Sequence, residues 1–190
     1  MLEIAIQSLR NIDVQSVESV VYHLAALRQR SGRLFCIGNG GGMSHASHAA
    51  SDFRTLCGID AHSVGDNQAY ITAAANDHGW DNAYTLWLDS FTLGSKDAVL
   101  VFSVGGGSKE PPVSLNIVKA LSFADRQDAT ILAIVGRNGG FAATVAETTI
   151  LIPVSDPEFV TPATEGIQSV VAHWLVSKLS TKKAKWESLA

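Results

Sequence analysis

Charge is scarce in this chain: 17% of its 190 residues are charged, against 46% hydrophobic. So thin a polar coat leaves little to solvate a lone subunit and points to contacts between subunits. Positive charge is the scarcer sign, 14 Lys and Arg against 18 Asp and Glu, for a net charge of −4. That balance argues against a nucleic-acid coat or a binder of anionic membranes, so neither is expected as a partner. An anionic small molecule is not excluded, because a local cradle of backbone amides overrides the global sign. Cysteine is limited to Cys36 and Cys57, with no CxxC pair. This removes a redox motif or zinc knuckle and leaves two buried thiols in a reducing compartment. No apolar run approaches the ~20 residues of a membrane span. Met1-Leu2-Glu3-Ile4-Ala5-Ile6 places no basic stretch ahead of an apolar core, so the expected location is the cytoplasm. A Walker loop is also missing, since no Gly-Lys-Ser/Thr follows either glycine turn, and the second turn lacks the GxGxxG spacing of a dinucleotide site.

What remains is an alternation of short apolar runs with helical patterns. The length fits one domain over residues 1–190, read as an N-terminal helical region, 1–31, and an α/β core, 32–190. Val14, Val17, Val20, Val21, Leu24 and Leu27 recur at helical spacing, and Ser31-Gly32 ends that region. Continuous apolar runs predict strands at Leu34–Ile37, Ala61–Val64, Asp97–Phe102, Thr130–Val135 and Thr149–Val154. Helices are expected up to about Cys57, from Asp66 to Asp77 with Gly79 as the break, and from Trp80 to Leu93. Further helices are expected from Pro111-Pro112, which a first helical turn tolerates, to Ala124, from Phe141 to Ala146, and from Pro162 to Ser180. Lys182, Lys183 and Lys185 would form a cationic end that suits the dipole of the last helix. Strands alternating with helices predict a parallel sheet covered on both faces, with ligands bound beyond the strands' carboxyl ends.

Two glycine turns sit at such ends. Gly38-Asn39-Gly40-Gly41-Gly42 follows the first strand and opens a small-residue helix carrying His48 and Asp52. Glycines allow close backbone approach, amides at a helix start attract anions, and residues four apart share a helix face. The same residues also suit a plain tight strand-to-helix turn. Ser103-Val104-Gly105-Gly106-Gly107-Ser108 follows a later strand and offers the hydroxyls and amides that a phosphate monoester needs, or serves as a loop with capping serines. His48 with Asp52 and Glu165 with His173 are the candidate acid–base or metal groups. His45, His62 and His78 have weaker claims, His23 reads as helix surface, and a helical histidine such as His173 is more often packed than ligating.

Taken in order, Gly38-Asn39-Gly40-Gly41, His48 with Asp52, Asn76-Asp77-x-Gly79, Ser103-x-Gly105-Gly106-x-Ser108, Gly136-Arg137-Asn138-Gly139-Gly140, and a last helix with Glu165 and His173 resemble the sugar-isomerase (SIS) domain family, and within it the phosphoheptose isomerases. The resemblance covers nearly the whole chain. It implies a three-layer α/β/α sandwich on a five-stranded parallel sheet with extra N-terminal helices, assembled as a homotetramer with sites at subunit interfaces. It implies an aldose–ketose isomerase acting on a sugar phosphate through an enediol, with sedoheptulose 7-phosphate converted to a mannoheptose 7-phosphate. It implies that Ser103, Gly105, Gly106 and Ser108 hold the sugar phosphate, with Asn39, Gly40 and Gly41 assisting. Zinc or another divalent cation would be held by His48, Asp52, Glu165 and His173. Asp52 and His173 would transfer protons, and Asp77 would orient the sugar or tune His173. Departures from the family are Asp52 in place of Glu, Glu165 in place of Gln, Gly42 in place of Ser and Val104 in place of a hydroxyl residue. Two other readings are a non-catalytic SIS module that senses a phosphosugar or binds a protein, and an isomerase for a different sugar phosphate.

Overall fold

Five apolar runs become five parallel strands in a computed structural model that describes residues 2–181. They are β1 (Arg33–Gly38), β2 (Asp60–Ser63), β3 (Ala98–Ser103), β4 (Thr130–Val135) and β5 (Thr148–Leu151), in the spatial order β2-β1-β3-β4-β5. Every neighbouring pair is parallel. The chain leaves β1 toward β2 on one side and returns to β3 on the other. The topological switch therefore lies between β1 and β3, where the loops after these strands diverge and leave a crevice.

Successive residues of each strand face opposite layers, as a period of two requires. Leu34, Cys36, Leu100, Phe102, Leu132 and Ile134 pack on α2 (Val14–Gln29), α3 (Gly41–Cys57) and α8 (Val160–Leu179). Phe35, Ile37, Val99, Val101, Ile131 and Ala133 pack on α4 (Gln68–His78), α5 (Trp80–Ser90), α6 (Leu115–Arg126) and α7 (Gly140–Val145). The three-layer α/β/α sandwich on a five-stranded parallel sheet is thus present as expected. α1 (Leu2–Arg10) and α2 precede β1, and Val17, Val20, Leu24 and Leu27 of α2 are wholly buried in the common core. Each such aliphatic side chain removed from water stabilises the fold by about 1.5–3 kcal/mol.

Some boundaries differ. Ser108 and Val113 exchange two backbone hydrogen bonds of 2.9 and 3.0 Å, which loops Pro111 and Pro112 out ahead of α6 instead of into its first turn. α5 ends at Ser90, three residues short of Leu93, where the Phe91 and Thr92 amides donate to the Leu88 and Asp89 carbonyls. β5 ends at Leu151 and α8 begins at Val160. Lys182, Lys183 and Lys185 lie outside the described residues. Among the described residues no helix is long and apolar enough to cross a membrane.

One side chain fixes how the two site-bearing helices lie. Nη1 of Arg28, on α2, donates to the Cys57 carbonyl at the end of α3 (2.8 Å) and to the Leu179 carbonyl at the end of α8 (2.9 Å). Both helices therefore finish at the same cation and run parallel, and the guanidinium meets the negative end of each dipole. Arg28→Ala is expected to lower stability by about 2 kcal/mol in urea titration, the scale of hydrogen bonds to a charged donor. Arg28→Lys should recover only part of this, because an ammonium lacks the planar fork. An unchanged midpoint for Arg28→Ala would show that the clamp contributes nothing.

Candidate active site

The crevice beyond the strand ends opens into a cavity of about 720 Å³. Its walls come from the loop after β1 (Asn39, Gly42), the loop after β3 (Ser103 to Ser108, with Lys109, Glu110, Val113 and Ser114), the loop after β4 (Arg137, Asn138), the start of α7, and Thr161 and Glu165 of α8.

The floor is backbone against backbone. A Cβ on Gly106 (φ 71°) would overlap the Gly139 carbonyl oxygen, and one on Gly140 (φ 52°) would overlap the Gly105 carbonyl oxygen. Only glycine permits both the positive φ and the approach. The contact is cemented by hydrogen bonds: Phe141 N–H to Gly107 O (2.8 Å), Ala142 N–H to Gly106 O (3.0 Å) and Gly136 N–H to Val104 O (3.1 Å). The first amides of α7 are therefore spent on the neighbouring loop. Ser103 Oγ accepts from Gly106 N–H at 3.0 Å and keeps its own proton to donate, while Ser108 Oγ donates to the Glu110 carbonyl at 3.0 Å.

Asn39 is held rigidly. Its side-chain amide pairs reciprocally with that of Asn116, at 3.1 and 2.8 Å, and the Tyr84 hydroxyl lies 2.8 Å from Asn39 Oδ1 and 2.6 Å from the Gly38 carbonyl. Asn116 and Tyr84 are fully buried. Burial raises the Tyr84 pKa, so the phenol stays a neutral donor.

A second group of polar side chains lies further along the same two helices. His48 Nε2 is 3.3 Å from Asp52 Oδ2, His173 Nε2 is 3.8 Å from the same oxygen, and the two imidazole rings stand 5.1 Å apart. The α3 pair shares a face because its members are one turn apart. His173 Nδ1 lies 2.8 Å from the Ser169 carbonyl. A carbonyl only accepts, so Nδ1 carries a proton, and Nε2 is the ring nitrogen turned toward Asp52. One potential ligand atom from each of the three residues lies within 4.8 Å of the others. Ligand atoms on a tetrahedral zinc stand about 3.3 Å apart, so the donor set and its spacing fit a divalent cation. The side chains of His48 and His173 are 62% and 55% exposed, against 22% for Asp52, so the carboxylate is the sheltered member.

α3 and α8 connect the two places. Gly41 meets Glu165 at the cavity, where a Cβ on Gly41 would fall 2.6 Å from the Glu165 carboxyl carbon. Eight residues later on α8 comes His173, a rise of about 12 Å. The structure thus brings His48, Asp52 and His173 together. It lines the cavity with Asn39, Ser103, Gly105, Ser108 and Glu165. Gly106 lies in the floor, and Gly40 and Gly41 form the turn into α3 behind the wall. Glu165 is not brought to the three-residue group. Asp77, at the end of α4, is exposed, accepts a 2.7 Å hydrogen bond from Asn76, and belongs to neither place. Sequence reasoning missed Lys109, Asn116 and Thr161. It noted Arg137 only as part of a glycine motif, although that motif follows a strand just as the other two glycine turns do.

No family model matches the chain. It is 31% identical over 156 residues to the lincomycin biosynthesis protein LmbN of Streptomyces lincolnensis, covering 76% of this chain, and it spans about half, 54%, of LmbN. It is 27% identical over 180 residues to a phosphoheptose isomerase of Helicobacter pylori, covering 92% of this chain and 85% of that one. Its fold matches the structure of phosphoheptose isomerase GmhA from Neisseria gonorrhoeae with a TM-score of 0.78 at 23% identity, over 92% of this chain and 90% of that chain.

Gly41→Ala separates site from scaffold. A helical Gly-to-Ala change stabilises by up to about 1 kcal/mol, but here the new methyl displaces the Glu165 carboxylate. The expected result is an unchanged or raised melting temperature with weakened ligand binding. Retained affinity in a folded Gly41→Ala protein would remove Glu165 from the ligand's path.

Proposed function

We propose, for a chain that belongs to the sugar-isomerase (SIS) domain family, that it is a sugar-phosphate isomerase interconverting a ketose phosphate and an aldose phosphate, with sedoheptulose 7-phosphate and a mannoheptose 7-phosphate as the pair. The observation that carries this reading is the seam between α3 and α8, which joins a glycine-floored polar cavity to a carboxylate set between two imidazoles.

In this reading the phosphate rests over the loop after β3, with Ser103 donating its free hydroxyl proton and Asn39 holding the near wall. Glu165 faces the hydroxyls of the sugar chain. Asp52 takes the proton from the carbon beside the carbonyl and returns it to the neighbouring carbon of the cis-enediol. His173 relays a proton between the two sugar oxygens through its Nε2. Zinc or another divalent cation is held by His48, Asp52 and His173, and when bound it supplies a Lewis acid that polarises the carbonyl and spreads the charge developing on the sugar oxygens. The exposure of His48 and His173 and the scarcity of surface charge support a homotetramer in which a neighbouring subunit covers this end of the seam. Asp77, exposed and away from its own site, then serves a neighbour. The cytoplasm is the compartment proposed.

Asp52→Asn keeps the shape and removes the base. Sugar phosphate should still bind, turnover should fall by roughly 10²–10⁴, the usual share of acid–base catalysis, and solvent deuterium should no longer enter the carbon beside the carbonyl. His173→Gln should match it, and the double variant should lose little more, because groups acting as a unit are non-additive. If Asp52→Asn exchanges deuterium at the wild-type rate, Asp52 is not the base.

A further inference from the structure

Two cations stand over the glycine loops, and among the described residues no carboxylate forms an ion pair with either. The stem of Arg137 lies across the loop after β3: its Cδ is 3.8 Å from where a Cβ on Gly105 would be. Lys109 Nζ rests 4.6 Å above the Phe141 ring, and both side chains line the same cavity. Among the described residues neither side chain makes a salt bridge or hydrogen bond. Arg137 also borders a second cavity, beside Glu3 and Gln7 of α1, yet forms no ion pair there. In a chain short of positive charge, two unpaired cations on one cavity are an unusual allocation.

The hydroxyls of the same loop are partly committed. Ser108 Oγ donates to Glu110 O, Ser103 Oγ already accepts from Gly106 N–H, and Val104 between them has no hydroxyl. The amides of Phe141 and Ala142 are taken by Gly107 and Gly106. The donors left to a phosphate on this floor, the Ser103 hydroxyl and the Gly105 and Gly107 amides, are neutral, and its charge is left to Arg137 and Lys109. The carboxylates are placed otherwise: Glu165 enters from α8 on the Gly41 side, and Glu110 is exposed at the rim.

Resting on the reading of the cavity as a sugar-phosphate site, we infer that Arg137 and Lys109 are the charge partners of the ligand's phosphate dianion. Arg137 is the principal one, because its planar fork suits two phosphate oxygens at once. Arg137 and Lys109 come from the loops after β4 and β3, whereas Glu165 comes from α8 beside Gly41, so the cavity carries cations from its loops and a carboxylate from its helix. A phosphorylated sugar then enters phosphate-first under the two loops, with its polyol toward α8.

The test titrates inorganic phosphate, ribose 5-phosphate and unphosphorylated ribose into the full-length protein, followed by calorimetry and by phosphorus NMR line width. Arg137→Gln should weaken both phosphate-bearing probes about tenfold or more, Lys109→Gln should weaken them less, and the pair together should flatten the salt dependence of binding. Arg137→Lys should recover part of the loss, and ribose should discriminate none of the variants. Melting curves check folding, and since Gln keeps the same backbone constraint at φ 52°, Arg137→Gln should melt as the parent does. Parental affinity and salt dependence in the Arg137→Gln, Lys109→Gln protein would overturn the inference. Ser103→Ala with Ser108→Ala separates the two levels. If that variant loses phosphate while the charge variants keep it, the cavity is a phosphate site and only the role of the cations fails. If the unaltered protein binds neither phosphate-bearing probe, both the cavity reading and the inference fall.

Discussion

Beneath the candidate site two loops approach so closely that no side chain fits between them. Gly105 and Gly106 after β3 press on Gly139 and Gly140 after β4, and the carbonyls of Gly106 and Gly107 take the first amides of α7. The contact satisfies polar groups that would otherwise be orphaned at a helix start. It also fixes the height of the cavity floor and sets Ser103, Ser108 and Arg137 around one opening. Adjacent parallel strands deliver both loops to the same edge of the sheet, and the switch between β1 and β3 brings the Asn39 turn in from the other side.

The second constraint is the parallel pairing of α3 and α8. Both start at the cavity, where Gly41 leaves room for Glu165, and both end on Arg28. Parallel helices in contact keep the same residues opposite one another along their length. This is why His173 faces His48 and Asp52. In the proposed reading, binding and chemistry are divided along this seam, with anion recognition at the loop end and a carboxylate between imidazoles at the other. His48 and His173 are the exposed members of that second group. An isolated subunit leaves them to solvent, and the proposed homotetramer would cover them.

The fold was legible because its strands are unbroken apolar runs alternating with helical patterns, as a doubly covered parallel sheet requires. His48 with Asp52 was legible from spacing alone, since one helical turn separates them. That His173 joins them was implied by family resemblance and is not contained in any local spacing, because 120 residues lie between Asp52 and His173. Glu165 shows the opposite limit: it shares α8 with His173, but a rise of two turns carries it to the cavity. Pro111 and Pro112 were read as helix-starting residues, whereas the Ser108–Val113 pairing, a tertiary hydrogen-bond choice, holds them in a turn. Asn116 and Tyr84 gave no signal in the sequence, since a buried Asn on an apolar helix face is identified only once its amide partner is seen.

The central claim is that the groove between α3 and α8 carries enediol isomerisation of a phosphorylated ketose. Incubation of the unaltered protein in deuterium oxide with a panel of five-, six- and seven-carbon ketose phosphates, with a chelator and with added zinc, followed by proton NMR, tests it most directly. The account predicts that the seven-carbon ketose is converted to an aldose phosphate carrying one deuterium at the carbon next to the carbonyl, with the zinc-supplemented sample the most active. Binding of these phosphates without deuterium incorporation or conversion of any of them would contradict it, and would make this chain a phosphosugar-binding module rather than an enzyme.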